Sequence, residues 1–83
     1  MVKSEHIIAL FEDAEIRVPG HGLRDDELLV TQGLDSMDLV TLLHQVEVKF
    51  DVVISTEQTA RLRRLKDIVE FLNTEGVAAP ARP

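Results

Sequence analysis

Leu39, Leu42, Leu43, Val46 and Phe50 recur at steps of three and four residues. That period gathers side chains on one face of an α-helix and makes a stripe that other elements must cover. The same stretch offers a competing rhythm, because Val46-Glu47-Val48-Lys49-Phe50-Asp51-Val52 alternates apolar and polar residues as a strand does. No second segment of comparable alternation is present to pair with it. A lone strand leaves its backbone N–H and C=O groups unsatisfied. The spacing therefore predicts a helix from Ser36 to Phe50, then an extended stretch in which Ile54 packs inward.

The remaining punctuation is also helical. Ile7, Leu10, Phe11 and Ala14 share one face of a helix expected from Val2 to about Ala14. Pro19-Gly20-His21-Gly22 ends it, since proline breaks a helix interior and glycine favours turns. A long loop follows, with Leu28 and Leu29 as its expected plugs into the core. Ser55 or Thr56 is placed to cap a short third helix over Thr56 to Leu62, with Glu57 or Gln58 in its first turn. Leu65, Ile68, Val69 and Leu72 mark a last helix from about Leu65 to Asn73, and Gly76 is its stop signal. The expectation is a small all-α four-helix bundle over residues 1–75, three main helices and one short one, with a disordered tail over 76–83. Leu39, Leu42, Leu43, Val46, Phe50, Ile54, Leu62, Ile68 and Leu72 are expected to form most of its core.

At 83 residues the chain has room for one domain but not for a deep substrate pocket. It contains no cysteine, which excludes disulfides and thiolate metal sites. A formal charge of −6 argues against nucleic acid, whose phosphates call for a basic face. No apolar run has signal-peptide or transmembrane character, so a monomer in the cytoplasm, away from membranes, is expected. Arg24-Asp25-Asp26-Glu27 lacks the alternating ligand spacing of a calcium loop and reads as loop solubility.

Ser36 stands at the predicted start of the second helix, in Gly33-Leu34-Asp35-Ser36-Met37-Asp38. Three roles compete for it. Asp35 or Ser36 can cap the helix by accepting a free backbone N–H. A nucleophilic serine instead needs a base within hydrogen-bond reach, itself held by a third group. His44 lies eight residues on, about 12 Å along the helix at ~1.5 Å per residue, and His6 and His21 belong to other segments. No strand precedes the serine and no glycine follows it, as a nucleophile elbow requires. The third role is attachment: a helix N-terminus favours a phosphate ester, and a separate enzyme would supply the chemistry.

These residues resemble the phosphopantetheine-bearing acyl carrier protein family from about Ile7 to Leu72. Gly33 to Asp38 is similar to its G-x-D-S-[LM] signature, and Glu47 and Phe50 to its E-x-x-F. Ile54 and Leu62 match the apolar positions before and after the short helix, and Leu65 to Leu72 its last helix. The resemblance implies 4′-phosphopantetheine on Ser36, placed there from coenzyme A by a phosphopantetheinyl transferase. It further implies a non-enzymatic shuttle holding acyl or aminoacyl groups as thioesters, loaded by a ligase or transferase and used by synthase or elongation enzymes.

With the apolar stripe turned inward, Met37, Val40, Thr41, His44, Glu47 and Val48 face outward. Half of them are apolar, which suits a docking face. Asp35, Asp38 and Glu47 are expected to meet basic partner side chains. Thr41 and Val48 stand where the fatty-acid type usually has glutamate, and Arg61, Arg63, Arg64 and Lys66 form a basic cluster where acidic and hydroxyl residues are common. Both departures favour a specialised pathway of polyketide, lipid or aminoacyl type, with fatty-acid synthesis as the alternative. The rival from another class is a helical interaction module that carries no cofactor.

Overall fold

The computed structural model describes residues 1–20 and 22–77. Four α-helices follow one another: α1 (Ser4–Asp13), α2 (Ser36–Phe50), α3 (Thr56–Thr59) and α4 (Leu65–Thr74). A single 3-10 turn, Leu29–Gln32, interrupts the long first loop, and the described residues contain no strand. Helix α1 packs against both α2 and α4. The core is aliphatic apart from Phe11 and Phe50, and no polar or charged residue among the described residues is buried.

The strand-like alternation at Val46 to Val52 loses to the helical stripe, as the spacing predicts. Helix α2 runs to Phe50, where Asp51 takes a left-handed conformation (φ 54°) and donates its N–H to Glu47 O. Of the expected core, Leu42, Leu43, Val46, Phe50, Leu62, Ile68 and Leu72 are buried. Leu39 and Ile54 are only half-buried, the first because it forms the wall of a surface cleft and the second because it lies in the exposed α2–α3 connection. Ile7, Leu10 and Phe11 of α1, together with Val2, Ile16, Leu29, Leu34 and Leu65, complete the core. Leu29 is the expected plug, whereas Leu28 is half-buried.

Three boundaries differ from expectation. Val2 is buried ahead of α1 rather than within it, because Asn73 of α4 holds it on both sides: the Val2 N–H donates to Asn73 Oδ1 (2.9 Å) and Asn73 Nδ2 donates to Val2 O (3.1 Å). Helix α3 stops at Thr59, where the chain tightens and the Leu62 N–H is shared between Gln58 O and Thr59 O. Helix α4 extends to Thr74 and ends in a glycine cap. There Gly76 (φ 74°) donates to Asn73 O and Val77 donates to Leu72 O, the paired bonds of a left-handed stop. Val77 thereby packs against the core. The rest of the expected tail, from residue 78 onward, lies outside the described residues, as does His21.

The first loop is held by its own polar groups. Gln32 reaches back across it, accepting from the Arg24 N–H (2.7 Å) and donating to Arg24 O and Glu27 O. Ser4 Oγ donates to Asp25 Oδ2, the Lys66 N–H to Asp25 O, and the Leu29 N–H to Arg63 O. The loop is therefore fastened to α1 and to the start of α4. No helix among the described residues is long and apolar enough to cross a membrane.

Candidate functional site

Gly33 closes the 3-10 turn with φ 109°, a conformation L side chains rarely adopt. Leu34 then drops into the core, its N–H bonded to Leu29 O. This anchor sets where α2 starts. Asp35 is extended (φ −91°, ψ 177°) and is the N-cap: its Oδ1 accepts the Asp38 N–H at 2.8 Å, while Asp38 Oδ2 accepts the Asp35 N–H at 3.2 Å. The pair is a reciprocal capping box.

Ser36 is thus the first residue of α2, exposed, and relieved of capping. No hydrogen bond among the described residues engages its hydroxyl or the backbone N–H groups of Ser36 and Met37. Those N–H groups lie at the positive end of the α2 dipole. An accessible hydroxyl beside two free N–H donors suits a phosphate ester. It does not suit a serine nucleophile, because no base among the described residues touches it. His6 Nδ1 accepts the Lys3 N–H at the start of α1, and His44 is exposed further along α2.

A cleft of about 380 Å³ opens beside Ser36. Leu39, Val40 and Leu43 of α2 form one wall and Val30 of the 3-10 turn adds to it; Thr59, Ala60 and Arg63 close the other side. Leu39 and Leu43 come from the expected core, whereas Val30, Thr59, Ala60 and Arg63 were not foreseen there. Only Arg63 carried a signal, as part of the basic cluster. A second cavity, about 360 Å³ between α3 and α4, shares no residue with the first and has a mixed polar lining that includes Asp67, Glu70 and Glu75.

The outward residues of α2 divide into two sets. Met37 (70% exposed), Val40 (54%) and Val48 (66%) are open to solvent, with His44 between the last two. Steps of three and four place them along one side of the helix. The others have work inside the fold. Asp35 and Asp38 cap each other, Thr41 Oγ1 donates to Met37 O, and Glu47 Oε2 accepts the Ile54 N–H at 2.9 Å. The basic cluster also separates: Arg64 pairs with Asp67 at 3.6 Å, while Arg61, Arg63 and Lys66 are exposed. No group of acidic and histidine side chains among the described residues could hold a metal ion, Asp25 and its neighbours included.

The family model described as "Phosphopantetheine attachment site" matches residues 6–72. A protein named "Acyl carrier protein" from Syntrophus aciditrophicus is 42% identical over 45 residues, 54% of this chain and 56% of that protein. Another of the same name, from Syntrophobacter fumaroxidans, is 40% identical over 73 residues, 86% of this chain and 84% of that protein. No solved structure gives a significant match. Most of the chain lies within both the family match and the longer alignment, and the chain belongs to the phosphopantetheine-attachment family of acyl carrier proteins, whose cofactor is covalently attached 4′-phosphopantetheine.

Proposed function

We propose that Ser36 is the attachment point and that the protein is a cytoplasmic carrier of acyl or aminoacyl groups. The observation that carries this reading is the division of labour at the start of α2. Asp35 does the capping, so the exposed Ser36 hydroxyl is left for a partner enzyme. In the modification, Ser36 Oγ bonds to the phosphorus that bears pantetheine, and the pyrophosphate P–O bond of coenzyme A breaks. The adenosine bisphosphate portion leaves, and the hydroxyl proton passes to a base of the transferase. When bound, the arm supplies a thiol that holds cargo as a thioester. This chain's own residues steady the phosphate through the free N–H groups at the α2 terminus and offer the Leu39–Leu43 wall to what the arm carries. Chemistry on the cargo belongs to separate loading and synthase enzymes, and the carrier itself is not an enzyme.

The stripe of Met37, Val40, His44 and Val48 is the proposed docking face for those enzymes. Asp35, Asp38 and Glu47 contribute charge that aids encounter, in addition to their bonds within the fold. Thr41 and Val48 stand where the fatty-acid type usually has glutamate, and Arg61, Arg63 and Lys66 add positive charge nearby. These features support partners in a specialised pathway over those of fatty-acid synthesis.

Intact mass after incubation with coenzyme A and a broad-specificity phosphopantetheinyl transferase tests the reading, with Ser36→Ala alongside. A gain of one phosphopantetheine on the wild type alone is expected. An unchanged mass on folded protein with several transferases would return Ser36 to a surface serine and α2 to a cofactor-free interaction helix.

A further inference from the structure

Arg63 is the one cationic side chain in the lining of the Ser36 cleft, among the described residues. Its Nε–H donates to Ala60 O at 3.0 Å, which fixes the root of the guanidinium against the end of α3. The ion pairs of the described residues are Arg24–Glu27 and Arg64–Asp67, and neither includes Arg63. Its remaining donors are therefore held beside the cleft without an internal carboxylate. The facing wall, Leu39 and Leu43, is aliphatic. A purely hydrocarbon cargo would gain nothing from a cation there, whereas a guanidinium fork matches the paired oxygens of a carboxylate or phosphate. A volume of about 380 Å³ lies near the small end of ligand sites, roughly 300–1,000 Å³.

Resting on the Ser36 assignment, we infer that Arg63 is a specificity-determining residue that pairs with an anionic oxygen group on the chain borne by Ser36. Two groups have that chemistry: the phosphodiester of the arm, and a terminal carboxylate on a short acyl cargo. The phosphodiester already has the free N–H groups of Ser36 and Met37, which leaves Arg63 for the carboxylate. Because Arg63 is exposed, water screens the pair. The selection it exerts is expected to be about two- to five-fold, in keeping with exposed ion pairs.

The test loads Ser36 in one step with coenzyme A, butyryl-coenzyme A or succinyl-coenzyme A and confirms each product by mass. NMR then follows the Arg63 Nε–H and the Leu39 and Leu43 methyl groups. A shift of Nε–H with the succinyl form, absent from the butyryl and free-thiol forms, supports the inference with the cargo carboxylate as the anion. An equal shift in all three forms would put Arg63 on the phosphodiester, which every cargo shares, and would overturn its role in specificity. Arg63→Gln should remove the methyl shifts specific to the anionic form and keep those that butyryl produces. Loaded protein with an unmoved Arg63, or succinyl-specific shifts that survive in Arg63→Gln, would overturn the inference and leave the Ser36 assignment standing. Absence of any mass gain overturns both.

Discussion

Glu47 Oε2 accepts the backbone N–H of Ile54 at 2.9 Å, joining the last turn of α2 to the segment that leads into α3. The carboxylate is half-buried, and that N–H lies in a partly buried stretch. Removing the acceptor in Glu47→Ala should cost about 1–3 kcal/mol, the penalty of an unmet donor. Glu47→Gln keeps an acceptor and should cost less. Urea unfolding of the two variants measures the difference. Any loss of partner turnover in Glu47→Gln, with stability kept, isolates the role of its charge in docking.

Ser36→Ala should abolish loading and leave stability within about 0.5 kcal/mol of the wild type, because the residue caps nothing. Asp35→Ala should do the reverse to the fold, costing about 1 kcal/mol as a lost N-cap does. Intact mass and urea midpoints on the same two samples decide it. A marked destabilisation in Ser36→Ala would contradict the capping assignment.

At Gly33 a Cβ would meet open space, so only the backbone objects to a side chain there. With φ at 109°, Gly33→Ala should cost about 1–3 kcal/mol through strain alone. Shifting the turn would also displace Leu34 and the start of α2. A thermal melt reads the cost, and the rate of modification by the transferase reads the displacement of Ser36.

The exposed apolar stripe on α2 can be altered without disturbing the core. Met37→Ala combined with Val48→Ala should leave stability within about 0.5 kcal/mol. It should nevertheless slow transfer by loading enzymes, seen as a higher KM for the carrier. An unchanged KM would move the docking surface elsewhere, with exposed Arg61 and Lys66 the next place to look.

The parts of this fold written in local patterns were legible in the sequence. The stripe from Leu39 to Phe50 gave α2 its limits, and Ser55 with Gln58 forms the cap expected for α3. Choosing between Asp35 and Ser36 as the cap was beyond local pattern, since both residue types cap well and only the geometry shows which oxygen meets Asp38 N–H. Long-range pairings left still less trace. Nothing near Val2 announces that Asn73, 71 residues away, will hold it. No local pattern marks Gln32, yet it organises Arg24 and Glu27. Likewise Arg63 was legible as charge, but its place beside Ser36 depends on how α3 folds back toward α2.

Helix α3 contributes no buried residue, although Thr59 lines the cleft and Ala60 and Arg63 follow it there. On the opposite side Leu43 is anchored in the core. One jaw of the cleft is therefore stiff, whereas the other has little burial within α3 and is tied to the fold by buried Leu62 and by the Leu29 N–H bond to Arg63 O. Segments with so little burial open at small free-energy cost, far below that of global unfolding. On the proposed carrier reading, the less buried jaw can yield to cargoes of different bulk while Ser36, on the stiff one, keeps its place.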